Sequence, residues 1–423
     1  MNERVVVTGL GAVTGLGATW QDLWEGLLGG RCAVRAWSPP GVTDFPVGFG
    51  APVDDAVLPA PSDGWDADGP ADRRTRLGLA AARQALAGLD PHAPLPRSTA
   101  TAIGSGTPER DPMELLPATG EAGPSWTNLY ARRGELRRGT GLFQPNDALA
   151  ARIARRHLLG GPVVNLTTAC AGAAHAVGHG FRMIRRGEAA AVLAGGADAA
   201  LNLHSVLGLT QLGATSVTRR FGPRLCRPFD RERSGIVIGE GAGMLLLESE
   251  RSARRRGAPV HAEIIGFGTS LDAHRVTAPH PEGAGAVLAM RRALADARVS
   301  PGEVDCVNAH GTSTALNDRI ETAAIKKVFA DGGHHRRLAV TANKAALGHL
   351  VAAAGGPELV ATVLTVRDGV IPPTLHLDSP DPECDLDYVP HHARSGAFRT
   401  AISNSFGFGG INATLVVRRY GPL

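Results

Sequence analysis

"NLTTACAGAAHAVG", residues 165–178, passes from a β-favouring run to a run of small residues, with one cysteine, Cys170, at the join. The run "PVVNLTT" (162–168) predicts a strand, and "AGAAHAVGHGFRMIRRG" (171–187) predicts an amphipathic helix. A strand turning into a helix through small residues is the unit from which α/β sheets are built. A sulfur at that turn meets the positive end of the helix dipole, which predicts a lowered pKa and a larger thiolate fraction. Ala169, Ala171 and Gly172 would let a bulky thioester approach, and the neighbouring backbone N–H groups can hold an oxyanion. The same position also suits a small buried hydrophobe, so Cys170 is either a nucleophile or core filling.

Working outward, the same alternation recurs. The first half offers the strand "RVVVTGLGAVTGLG" (4–17) with its glycine turn, then the helical "TWQDLWEGLL". A loop over 37–72 leads to the helix 72–86 and the strand 99–106. Residues 107–145 read as a long excursion with some helix, and strands follow at 190–198 and 241–249. The second half gives a strand at 261–270, a helix at 283–297 and a strand running into a turn at 304–314. A helix at 318–330, a strand plus turn at 338–349, a helix at 355–369 and two closing strands at 400–410 and 412–420 complete it. Each half alternates strands and helices and ends in a strand pair. This predicts an α/β fold with an internal duplication near residue 255, dividing the chain into 1–255 and 256–423.

Composition excludes several classes of function. With 423 residues and 43% hydrophobic residues the chain can bury a large core. Its net charge is only +4 and aromatics make up 4%, with no basic block interleaved with them, so no nucleic-acid partner is expected. The runs "RIARR" (152–156), "RMIRR" (182–186) and "RSARRR" (251–256) suit helix C-termini. No apolar run approaches membrane-spanning length. The five cysteines, Cys32, Cys170, Cys226, Cys306 and Cys384, are scattered without a disulfide or zinc pattern, and no signal peptide is expected from the opening residues. A reducing, cytoplasmic location is expected. Lysines number three among 44 basic residues, Lys326, Lys327 and Lys344, which marks each of them for attention.

Two glycine-rich openings look like phosphate cradles and fail the test. In "GLGAVTG" Thr14 falls where the third glycine of a dinucleotide fingerprint belongs, and no acidic residue ends a second strand at the required distance. "GEGAG" (239–243) leads into a strand, so it has no helix N-terminus to offer. More telling are "NAHGTST" (308–314) and "NKAALGH" (343–349), each placing a histidine beside glycine just after an apolar strand, where open α/β sheets build their sites. His310 and His349 stand in matching loops, and Cys170 stands in the matching loop of the other half. Two imidazoles converging on a thioester carbonyl would form a clamp for an enolate. A fourth loop, "NSFGFGG" (404–410), leaves backbone amides open and gives Phe408 room to swing.

Taken together, "TTACAGAAHAVG", "PFDRERSGIVIGEGAG", "VNAHGTSTALNDRIE", "NKAALGHLVAAAG" and "NSFGFGGIN" resemble, in order and across nearly the whole chain, the elongating β-ketoacyl-ACP synthases of the thiolase-like superfamily. The resemblance implies a five-layered α-β-α-β-α sandwich of two duplicated halves, the first holding the nucleophile and the dimer contact, the second the histidines, lysine and gating loop. It implies that Cys170 takes an acyl chain from acyl carrier protein. His310 and His349 would then assist decarboxylation of malonyl-ACP, whose enolate attacks the acyl-cysteine in a Claisen condensation. Lys344 matches the family's active-site lysine and Glu321 its carboxylate partner. Asp318, at the head of the same helix as Glu321, reads as an N-cap. Thr312 and Thr314 match hydroxyls that contact the phosphopantetheine arm. Phe408 matches the gating phenylalanine, its amide and that of Cys170 forming the oxyanion hole.

The family uses no metal and no soluble cofactor beyond the carrier's phosphopantetheine. It is usually dimeric across the strand before the cysteine, here near 162–168, as a homodimer or as a heterodimer with a chain-length factor-like subunit. Departures from the pattern fall in 107–145, at Ala345, Ala346 and Leu347, and at Ser234, where aspartate is common. They lean the substrate towards specialised polyketide or polyene synthesis over housekeeping fatty-acid synthesis. Rival readings on the same fold are a thiolase or simple acyltransferase and a non-condensing partner subunit. A thiolase would carry a second cysteine in the last glycine loop, which "SFGFGG" lacks, and a partner subunit would lack Cys170.

Overall fold

Ten strands carry the architecture: β1 (Val5–Thr14), β2 (Ala100–Ser105), β3 (Val163–Leu166), β4 (Ala191–Asp198), β5 (Gly241–Ser249), β6 (Ala262–Leu271), β7 (Cys306–Asn308), β8 (Ala339–Thr341), β9 (Thr400–Gly407) and β10 (Ile411–Arg418). Eight helices of nine or more residues accompany them among the described residues: α1 (Trp20–Leu28), α2 (Arg73–Ala85), α3 (Ala148–Arg156), α4 (Gly172–Arg185), α5 (Leu203–Gln211), α6 (Ala284–Ala297), α7 (Ala315–Val328) and α8 (Gly355–Asp368). The computed structural model describes residues 3–39, 42, 44–59, 71–90, 92–106, 127 and 146–421. The expected excursion over 107–145 lies outside the described residues, position 127 alone apart.

The strands hydrogen-bond in the order β8-β7-β9-β10-β6-β1-β5-β4-β2-β3. Counted from its own first strand, each half runs 3-2-4-5-1, and the pairing senses repeat as well. β2 is parallel to β3 and β4, as β7 is to β8 and β9, and the remaining neighbours are antiparallel. The halves join where Val5–Val7 of β1 pair with Ala262–Ile264 of β6. Helices α4 and α8 pack on each other and on strands of both halves. α2 covers the outer face of the first half with α3, and α6 covers the outer face of the second with α7. The result is five layers, helix–sheet–helix–sheet–helix, with the two central helices shared.

Sequence patterning explains this arrangement. Strands β1, β4 and β5 are buried along their whole length, as strands covered on both faces must be. Central helix α8 buries twelve of its fourteen residues, including Leu359, Val360, Val363 and Leu364. Small residues set the layer spacing. A Cβ on Gly104 of β2 would lie 2.1 Å from the carbonyl carbon of Gly172 at the head of α4, and one on Gly243 of β5 would lie 2.3 Å from that of Gly356 in α8.

The structure shifts several expected boundaries. Helix α7 begins at Ala315, three residues before the expected start, because the Thr314 side chain accepts from the N–H of Asn317 and caps it. Asp318 is therefore not the N-cap. It lies inside the first turn, fully buried, accepting from the N–H of Phe229 at 2.9 Å. Within the strand plus turn expected over 338–349, the strand is Ala339–Thr341 and Lys344–Leu347 of the turn are helical. Helix α5 lies where the sequence pattern predicts no element, and Asn202 caps it by accepting from the N–H of Ser205.

The close contact at Gly104 makes a sharp test of this packing. Gly104→Ala is expected to lower the free energy of unfolding by about 3 kcal/mol, since neither backbone can retreat. Urea unfolding of the two proteins measures it, and an unchanged midpoint would contradict the layer spacing.

Candidate active site

Four loops from strand ends meet at one point. Cys170 lies in a three-residue 3-10 turn, Ala169–Ala171, between β3 and α4, and it is 6% exposed. Ala169 holds a left-handed backbone, φ +45°, the sort of strain found where a side chain must be aimed. The N–H groups of Phe408 and of Cys170 itself favour the charged form of the sulfur. Burial nevertheless pushes the thiol up to about 11, against the opposing pull of the Lys344 charge and those two amides. The lowered pKa expected from the helix dipole is thus not found. The sulfur is buried at the turn, and desolvation outweighs the dipole.

His310 follows β7, and its loop is fixed from behind. Glu321 of α7 accepts from the N–H of His310 at 2.8 Å and of Gly311 at 2.9 Å, and Asn404 of β9 donates to the same carboxylate at 3.2 Å. Lys344 is fully buried. Its ammonium donates to the carbonyl of His310 at 2.6 Å, to Nδ1 of the same residue at 3.2 Å, and to Oε1 of Glu358 at 2.6 Å. The expected pairing of Lys344 with Glu321 is therefore corrected: Glu358, on α8, is the lysine's carboxylate, and Glu321 holds the histidine loop. Burial raises Glu358 to about 7, with the Lys344 charge opposing. The sequence offered no mark of Glu358, since "GGPELVA" reads as ordinary helix.

His349 completes the group. One nitrogen of each ring and the Cys170 sulfur lie within 4.8 Å of one another, and the rings stand 5.4 Å apart at 85°. Burial first, and then the Lys344 charge, hold both imidazoles well below their usual range, so both are neutral. Their tautomers follow from their partners. Nδ1 of His349 accepts from the N–H of Val351 at 3.0 Å, and Nδ1 of His310 faces an ammonium that can only donate. Each ring therefore carries its proton on Nε2, and that of His349 has no partner within the described residues. Three such ligand types at this spacing would suit a soft metal, yet a metal would have to displace a ring proton from both histidines. The arrangement is instead a pair of neutral N–H donors beside a thiol.

Cys170, His310, His349, Phe408, Thr312 and Thr314 all line one cavity of about 460 Å³. Phe408 is half-buried at the start of a short turn in which Gly409 adopts φ +83°. The hydroxyls of Thr312 and Thr314 lie 2.8 Å apart. Leu212, Val276 and Leu316, 53%, 73% and 46% exposed, make an apolar rim. Of the departures noted in the sequence, Ser234 reaches the cavity and bonds Ser216 at 2.6 Å, whereas Ala345, Ala346 and Leu347 are buried away from it. Strand β3 is the outer edge of the sheet, with Val163 exposed. No helix of the described residues is long and apolar enough to cross a membrane.

Comparison with known proteins agrees with this geometry. The "Beta-ketoacyl synthase, N-terminal domain" family model matches residues 2–253, and the "Beta-ketoacyl synthase, C-terminal domain" model matches residues 261–378. A 3-oxoacyl-[acyl-carrier-protein] synthase 2 of Coxiella burnetii is 37% identical over 420 residues, 99% of this chain and 99% of that protein. Its counterpart in a Synechocystis strain is 38% identical over 424 residues, 99% of this chain and 98% of that protein. Among solved structures, a type II PKS acyl-carrier protein in complex with its ketosynthase bound to the hexaketide aligns with TM-score 0.89 and 31% identity over 100% of both chains. The ishigamide ketosynthase/chain length factor aligns with TM-score 0.86 and 34% identity, again over 100% of both.

A thiol near 11 has a measurable signature. Alkylation of Cys170 by iodoacetamide is expected to accelerate steadily from about pH 8 to about pH 11, without the plateau near neutrality of an activated thiolate. Lys344→Met removes the charge that lowers this pKa and should slow alkylation further at about pH 8. Peptide mass spectrometry of the Cys170 adduct follows both.

Proposed function

Because the chain belongs to the β-ketoacyl synthase family, a group of decarboxylating, carbon–carbon bond-forming acyltransferases, we propose a division of labour among its own residues. The catalysed reaction is that of a 3-oxoacyl-[acyl-carrier-protein] synthase, with acyl groups carried on phosphopantetheine. The single observation that supports the assignment of roles is the convergence of one sulfur and two Nε2–H donors on a common cavity. The Cys170 sulfur attacks the carrier thioester. The oxyanion is held by the N–H groups of Cys170 and Phe408, and the departing phosphopantetheine sulfur takes up the thiol proton. The malonyl thioester oxygen then lies between the Nε2–H groups of His310 and His349. Loss of CO2 leaves an enolate whose charge those two donors stabilise. Its carbon attacks the acyl-Cys170 carbonyl, the new carbon–carbon bond forms, and the sulfur leaves and is reprotonated.

In this reading Lys344 with Glu358, and Glu321 with Asn404, fix the His310 loop. Asp318 braces the head of α7 against Phe229, and Thr312 and Thr314 bind the phosphopantetheine arm where it passes through the cavity mouth. Phe408 gates access to the sulfur. The chain is taken as two halves, 1–255 and 256–423, which the repeated strand order supports. A dimer through the free edge of β3, as homodimer or with a chain-length factor-like subunit, fits its exposed Val163. Acyl carrier protein is the docking partner. Five unpaired cysteines support a reducing, cytoplasmic setting. The leaning towards specialised metabolism keeps Ser234 as its support in the cavity.

Cys170→Ala is expected to abolish both acyl loading and condensation, read as acyl mass on the protein and as product; sustained condensation by that variant would sink the nucleophile. Cys170→Gln should still release CO2 from malonyl-ACP. Adding His310→Ala to it should reduce that release by about a hundredfold, and an undiminished rate would remove His310 from the clamp.

A further inference from the structure

The two halves share a finer feature than strand order. In each, a residue with left-handed backbone opens a three-residue 3-10 turn that leads into a central helix: Ala169 at φ +45° before α4, and Val351 at φ +47° before α8. The same bond closes both turns, from Ala171 N–H to the Thr168 carbonyl at 3.1 Å and from Ala353 N–H to the Leu350 carbonyl at 3.0 Å. Cys170 and Ala352 are thus equivalent positions. Beside the turns end two eight-residue strands, β4 at Asp198 and β9 at Gly407. Each of these last residues pairs with the first residue of the next strand, Asp198 with Gly241 and Gly407 with Ile411. Asp198 therefore matches Gly407, and Ala199 matches Phe408.

Beside Cys170 the strand ends without a side chain. A Cβ on Gly407 would stand 3.2 Å from the Cys170 nitrogen, and its absence leaves the N–H groups of Cys170 and Phe408 facing the sulfur and its substrate. In the matching place the pair is filled. Oδ1 of Asp198 accepts from Ala199 N–H at 2.9 Å and Oδ2 accepts from Ala352 N–H at 3.0 Å.

We propose that Asp198 is a permanent occupant of a second copy of the oxyanion hole, and that by holding Ala352 it positions His349. The connection is short. Ala352 follows Val351, whose N–H feeds Nδ1 of His349 and so keeps that ring's proton on Nε2. Val351 is β-branched, and a positive φ there costs about 1–3 kcal/mol, so the turn needs an outside hold. The carboxylate supplies it from the other half of the chain, 154 residues away in sequence. Burial raises Asp198 to about 6, the cost of placing an anion there, while the two N–H groups and Arg74 oppose that rise.

The proposal rests on the reading in which His349 donates from Nε2, and the test separates the two. Asp198→Asn keeps the side-chain shape but offers one acceptor in place of two, and Asp198→Gly recreates Gly407. Each is made in the full-length protein, checked for folding by thermal unfolding, and combined with Cys170→Gln to isolate decarboxylation. Malonyl-ACP decarboxylation is expected to fall by about tenfold or more, while acyl loading of Cys170 in the singly substituted enzymes stays within about twofold. The imidazole 15N shifts of His349 should move from one fixed tautomer towards a mixture. Decarboxylation within about twofold of the parent in Asp198→Asn, or an unmoved His349 spectrum, overturns the proposal, as does an equal loss of loading and decarboxylation. His349→Ala in the Cys170→Gln background tests the underlying reading by itself: undiminished CO2 release there would remove the clamp, whatever the Asp198 variants do.

Discussion

Lys344 is the charge on which the site is organised. An ammonium 1% exposed would be prohibitive without partners, and its hydrogen bonds run to Glu358 and to both the carbonyl and Nδ1 of His310. That one set of contacts links α8, the turn after β8 and the loop after β7. After burial, the Lys344 charge also helps hold the His310 and His349 imidazoles low, and it draws the Cys170 thiol partway down from where burial alone would leave it. Removing either partner of the Lys344–Glu358 pair would leave the other as an uncompensated buried charge, a cost of about 3–5 kcal/mol.

Much of this was legible in the chain. Cys170, His310 and Phe408 stand between small residues beside strand ends and His349 follows a glycine in a matching loop, so local pattern marked the positions, the family resemblance supplied their roles, and the alternation of elements marked the duplication. What stayed hidden depends on contacts between distant segments. Glu358 looks like any acid in a helix until α8 is packed against the Lys344 turn. Glu321 and Asp318 share a helix and a charge, and only folding shows that one holds a catalytic loop while the other braces Phe229. The raised thiol pKa stayed hidden for the same reason: a helix N-terminus is visible in sequence, and the burial of the sulfur is not.

The repeated strand order shows that the halves were built alike and then used differently. No side chain at Gly407 crowds the backbone donor of Cys170, while Asp198 accepts from the matching pair at Ala199 and Ala352. On the proposed mechanism one copy is the place where bonds are made, and the other is its scaffold. Each nest is assembled from both halves, so neither half contains a complete one.

The way the two imidazoles hold their protons has a consequence for the fate of a carbanion. Both are uncharged and lend a hydrogen without being strong Brønsted acids, and the nearby ammonium is turned to the far nitrogen of His310. An enolate cradled there is stabilised without being quenched. Its lifetime is then set by how soon an electrophilic carbon arrives, which tilts the branching between chain growth and wasteful release of an acetyl thioester towards growth.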